Sequence, residues 1–108
     1  MDFIIVYITH GTELAAKKVA NYLLDKKLVA CANTFPISSA YWWKAKIQSD
    51  KEWISIVKTV PELWEQLEAA VEAVHPYDVP CIMKIKAEAN TAYVNWIRKE
   101  VAPALPSD

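Results

Sequence analysis

The chain has 108 residues, a formal net charge of −1, 54% hydrophobic and 23% charged residues, and a single glycine. That length suits one domain, residues 1–108, because two hydrophobic cores do not fit in it. One glycine excludes a P-loop, a Rossmann fingerprint and a G-x-S-x-G elbow, and a near-neutral, interspersed charge leaves no electrostatic footprint for nucleic acid or an anionic membrane.

Phe3 to Ile8 is β-branched and aromatic at both parities, which predicts a central strand covered on both faces. The run is shorter than the roughly 7–15 residues of a signal-peptide core, and nothing approaches the ~20 apolar residues of a membrane span. After Thr9-His10-Gly11, Thr12 is a candidate N-cap for an amphipathic helix over Glu13 to Lys26, with Ala15, Val19, Tyr22 and Leu23 on its apolar stripe. His10 reads as a solvated loop histidine. Val29 to Trp43 reads as extended, with Pro36 demanding an edge position or a bulge because it has no amide donor. Lys44-Ala45 is a hairpin turn, and Ile47 to Thr59 is the return strand.

Pro61 opens a second helix whose stripe is Leu63, Leu67, Val71 and Val74, and Pro76 ends it. Its glutamates, Glu62, Glu65, Glu68 and Glu72, form a solvated face and not a cation-binding row. Val79 to Ala87 reads as a strand, Thr91 to Val101 as a last helix, and Ala102 to Asp108 as a loose tail. The order βαββαβ plus a helix predicts an α+β, ferredoxin-like sandwich, an architecture that hosts many unrelated activities.

Strands of about 13 residues extend roughly 40 Å at ~3.3 Å per residue, whereas a compact domain of this size is about 34 Å across. The ribbon tip, with Tyr41, Trp42 and Trp43, therefore projects beyond its own core. Aromatic side chains left in water on a two-stranded ribbon predict a homo-oligomer; a ribbon bent back at Pro36 over its own sheet is the alternative.

Few residues carry candidate chemistry. Cys31 and Cys81 are far apart, with no C-x-x-C, so free thiols in a reducing cytoplasm are the expectation, and Cys31 reads either as an inert buried thiol or as a ligand that needs a neighbour. Lys58 lies on an apolar strand, where a cation must snorkel to solvent or pair with an anion. His75 ends a helix whose dipole favours an imidazolium and precedes the stiff Pro76-Tyr77-Asp78-Val79-Pro80; it is either a helix cap or a site residue. Acyl-phosphate hydrolysis is not expected, because the loop after the first strand carries no arginine and Arg98 is the chain's only one. Aromatic rings on such a sheet also suit RNA stacking, but here they cluster at a ribbon tip in a slightly acidic chain.

Ala30-Cys31-Ala32-Asn33, the run Tyr41-Trp42-Trp43-Lys44-Ala45-Lys46-Ile47-Gln48-Ser49-Asp50, Lys58-Thr59 and His75-Pro76-Tyr77-Asp78-Val79-Pro80 together resemble the CutA family, the divalent-cation tolerance proteins, over about Ile4 to Ile97. The resemblance implies a cytoplasmic homotrimer similar in shape to the PII signal proteins, no enzymatic activity, and a role in tolerance of copper and other divalent metals. It also implies a cleft between subunits for a metal ion or small ligand, near Cys31, Asn33, Lys58, His75 and Tyr77, with no cofactor needed for folding. A PII-like signalling or scaffolding trimer without metal is the alternative. Some members hold copper through a cysteine near the end of the first strand and a His-His pair, and these positions read Ile8 and Val74 here, which leaves only His75 of that set, with His10, two residues beyond Ile8, either a substitute in space or a solvated loop residue. The turn reads Lys44-Ala45-Lys46 where members commonly have Glu-Gly-Lys, so positive φ at that turn would strain Ala45.

Overall fold

In the computed structural model, which describes residues 2–106, β1 (Phe3–His10) lies inside a four-stranded antiparallel sheet of order β2-β3-β1-β4. The other strands are β2 (Cys31–Trp43), β3 (Lys46–Thr59) and β4 (Ile82–Ala87). Helices α1 (Glu13–Asp25) and α2 (Trp64–Val74) carry the two crossovers, and α3 (Thr91–Val101) follows β4. This is the ferredoxin-like sandwich, extended by a long β2–β3 ribbon and a third helix.

Strand alternation sets the core. Ile4, Val6 and Ile8 of β1 are fully buried, whereas Ile5, Tyr7 and Thr9 are half-buried on the opposite face. Val19 and Leu23 of α1, Leu67 and Val71 of α2, and Val94, Ile97 and Val101 of α3 join the same cluster. Thr12 caps α1, its side chain accepting a hydrogen bond from the Ala15 amide at 3.1 Å. The helix ends in a Schellman motif: the Leu28 amide donates to the Leu23 carbonyl, the Lys27 amide to that of Leu24, and Lys27 stands at φ 62° where glycine is usual. Leu23 and Leu28 are both buried, which supplies the apolar contact that holds this ending.

Pro36 resolves as an edge residue, since β2 is the outer strand and its register with β3 runs without a bulge from Cys31–Lys58 to Trp43–Lys46. The ribbon does not fold back. The chain measures 47 × 27 × 23 Å with a radius of gyration of 14.6 Å, above the roughly 13 Å of a compact domain of this size, and Tyr41, Trp42 and Trp43 are exposed at its end. Lys44 and Ala45 stand at φ 52° and 65°, so the turn occupies the left-handed region without glycine. Ala45→Gly is expected to relieve about 1 kcal/mol of this strain and raise the midpoint of thermal unfolding by a few degrees. An unchanged or lower midpoint would contradict it.

Three sequence readings need correction. β1 continues through His10, which is buried and not solvated, because it falls on the same inward parity as Ile4, Val6 and Ile8. Residues 79–81 precede β4, which begins at Ile82; this Pro-bounded stretch crosses the end of the sheet, with only the Cys81 carbonyl reaching the Thr9 amide. The tail is not loose at its start, since Ala102–Ala104 form a 3₁₀ turn and Ala104 and Leu105 pack against the core. Residues 107 and 108 lie outside the described residues.

Candidate functional site

The two histidines meet at one end of the sheet. His10 is 1% exposed, with Nε2 3.0 Å from the equally buried Ser55 hydroxyl across the β1–β3 pair. His75 follows the last residue of α2, its own amide donating to the Val71 carbonyl, and its extended backbone is what a following proline requires. The two rings stack with centroids 5.5 Å apart and planes 21° apart. Burial, then the neighbouring His75, lowers the pKa of His10 from 6.5 to about 4.

His75 has both ring nitrogens engaged. Nε2 donates to the Thr9 carbonyl at 2.6 Å and Nδ1 accepts from the Tyr77 amide at 3.2 Å, which assigns the Nε2–H tautomer. Tyr77 packs edge-on against this ring, and its hydroxyl donates to Glu52 Oε2 at 3.0 Å. A continuous path thus runs from the end of α2 through His75 and Tyr77 to β3. Burial first, and then the Glu52 carboxylate, pushes the Tyr77 hydroxyl up to about 12.

Cys31, Asn33 and Lys58 stand elsewhere. Cys31 and Lys58 are register partners on β2 and β3, and Asn33 faces Ile56 two residues further along. Tyr93 of α3 lies over them: its hydroxyl is 3.5 Å from Cys31 Sγ, and Lys58 Nζ sits 5.5 Å from its ring centroid. Burial and the Cys31 contact raise the Tyr93 hydroxyl above its ordinary value. The Lys58 cation is therefore held on an aromatic face, and among the described residues no carboxylate pairs with it.

The five residues thus form two groups. Glu52, which Tyr77 touches, and Lys58 are separated by six residues of β3, roughly 20 Å. Tyr93, Glu52, His10 and Ser55 complete these groups; of them only His10 was singled out in the sequence, and as a loop residue. Parity carried part of the signal, because Glu52 shares a face with Ile54 and Ile56, and His10 shares one with Ile8.

As a metal ligand His75 is restricted. Ligation at Nδ1 would displace the Tyr77 amide while Nε2–H stays on Thr9, the outer hydrogen bond that orients a ligating imidazole. Ile8 and Val74 offer no donor atoms, and among the described residues no group of three or more His, Cys, Asp or Glu side chains could hold a metal ion.

A sheet with helices on one face, an overlong ribbon and a His-Pro-Tyr corner defines a ferredoxin-like subunit with an unfinished outer face. The model of the family described as CutA1 divalent ion tolerance protein matches residues 4–100. The Divalent-cation tolerance protein CutA of Thermotoga maritima is 43% identical over 99 residues, covering 91% of this chain and 98% of the relative. The solved structure of the Periplasmic divalent cation tolerance protein CutA from Archaeoglobus fulgidus superposes with a TM-score of 0.89 at 39% identity, over 92% of this chain and 98% of that one. CutA1 from Pyrococcus horikoshii OT3 does so with a TM-score of 0.86 at 42% identity, over 90% and 96%. The chain belongs to the CutA1 divalent ion tolerance family.

Proposed function

We propose that this chain assembles as a cytoplasmic homotrimer and acts in divalent-cation tolerance, copper included, by binding a metal ion or small ligand in clefts between copies and not by catalysis. Family membership supports the role, and the two free thiols fit a reducing compartment. The observation that carries the cleft is the division of its residues: Cys31, Asn33 and Lys58 lie toward one end of the sheet, and His75 and Tyr77 at the other. A closed head-to-tail ring sets one end of each copy against the opposite end of the next, which joins the two groups without moving either. Exposed Phe35, Met83 and Ile85 line the face between them and give such contacts apolar area.

Titration of the oligomer with copper(II) and zinc(II) tests this reading. Saturable binding should weaken about tenfold or more in both His75→Ala and Cys31→Ala, although the two residues belong to different ends of one copy. Binding indifferent to both changes would reject the shared cleft.

A further inference from the structure

On the helix-covered side of the sheet, between α1 and the end of α2, lies a pocket of about 380 Å³ that one copy forms by itself. Ala15, Val19 and Tyr22 recur at helical spacing on one face of α1 and make one wall, and Val74 and Pro76 make the other. Small-molecule sites have volumes of about 300–1,000 Å³ and apolar walls with a few convergent polar groups. Two such groups are present here. Lys18 is exposed at the rim, and no Asp or Glu lines the pocket. Among the described residues no carboxylate pairs with its ammonium, whereas the adjacent Lys17 is paired with Glu13.

His10 is the second group. Ser55 holds its Nε2, but Nδ1 meets no donor or acceptor among the described residues. The fully buried side-chain atoms left without a partner are Thr59 Oγ1 and Arg98 Nε, so Nδ1 is not sealed in the core. It belongs to the 1% of His10 that stays accessible, and the pocket is the space onto which that surface opens. A polar nitrogen at the floor of an apolar pocket is costly to leave unpaired, and a ligand hydroxyl, which both donates and accepts, satisfies it in either tautomer. His75 contributes ring surface alone, since both of its nitrogens are engaged. Gly11 and Ala15 border the pocket at the start of α1, where the helix dipole adds positive potential to that of Lys18. A cation at the mouth, apolar walls and one hydrogen-bonding nitrogen at the floor match an anionic head, a flat apolar body and a terminal hydroxyl.

We infer that this pocket binds a small phenolic carboxylate, with the carboxylate on Lys18, the ring between Val19, Tyr22 and Val74, and the hydroxyl on His10 Nδ1. The inference goes beyond the assembly reading and does not require it. The probe is para-hydroxybenzoate, titrated by calorimetry into the full chain with a chelator present, so that no metal ion contributes. Saturable binding is expected, weakened about fivefold or more by Lys18→Met, a change at an exposed helix position that keeps a straight apolar stem. Ala15→Leu, half-buried on the same face of α1, fills the space beside Val19 and should abolish binding while helicity by circular dichroism is retained. Benzoate, which lacks the hydroxyl, should bind about threefold or more weakly because Nδ1 is left unpaired, and the methyl ester of the probe should lose what Lys18→Met loses. Absence of saturation, binding that ignores either substitution, or equal binding of benzoate or of the ester would overturn the site. Metal titration and sedimentation read the assembly separately, so the two readings fail by different measurements.

Discussion

Acidification from pH 7.5 to 4.5 is expected to cost the folded chain about 2.5 kcal/mol through His10 alone. The unfolded chain takes up a proton at this residue near pH 6.5, whereas the folded chain does so only near pH 4, because the ring is buried beside His75. Between those values the unfolded state binds more protons, so stability falls as pH falls, and the full loss, about 3 kcal/mol, is reached below pH 4. Glu62 adds a second, lower window, since the Arg98 hydrogen bond holds its carboxyl below the ordinary range. Chemical denaturation of the parent and of His10→Gln at the same protein concentration separates the two. Their difference in stability should shrink by about 2.5 kcal/mol between the two pH values, with Glu62 cancelling. If the variant does not fold, the proton resonances of the His10 ring in the parent give the titration directly. A midpoint near 6.5 would refute the argument.

His10 also shows what the sequence could and could not disclose. Inward parity along β1 extends without interruption from Ile4 to His10, so the burial of the ring was legible once the strand was carried two residues further. Gly11 suggested an earlier end. What local pattern could not disclose is the partner, because Ser55 meets His10 only through the β1–β3 pairing across 45 residues. The same reason hides the link from Tyr77 to Glu52: His75-Pro76-Tyr77 is contiguous and visible, while the carboxylate that accepts the tyrosine's hydrogen bond is fixed by β3 register. Tyr93 was legible as a buried position of α3 from its helical spacing, but its place over Cys31 and Lys58 depends on how that helix docks. The ribbon was the most legible element, since strand length multiplied by rise already exceeds the diameter of the core.

That length leads to the second large effect. Trp42 and Ile47 are register partners, so their side chains share one face of the ribbon, and they are 72% and 65% exposed. Neither belongs to the hydrophobic core, which ends far short of the tip. Replacing both by serine should therefore leave the subunit folded, with circular dichroism and the thermal transition of the core retained. It should nevertheless dissolve the assembly. A large apolar side chain central to an interface contributes about 2 kcal/mol, so the pair accounts for about 4 kcal/mol, or roughly a thousandfold in the association constant. Sedimentation velocity at micromolar concentration is expected to show the parent as an oligomer and the double variant at the 12.3 kDa of one chain. A parent that sediments as a single chain would remove the shared cleft, and a variant that remains assembled would move the interface off the ribbon. In either outcome the exposed tryptophan would need another occupant, because a two-stranded ribbon is not stable in water by itself.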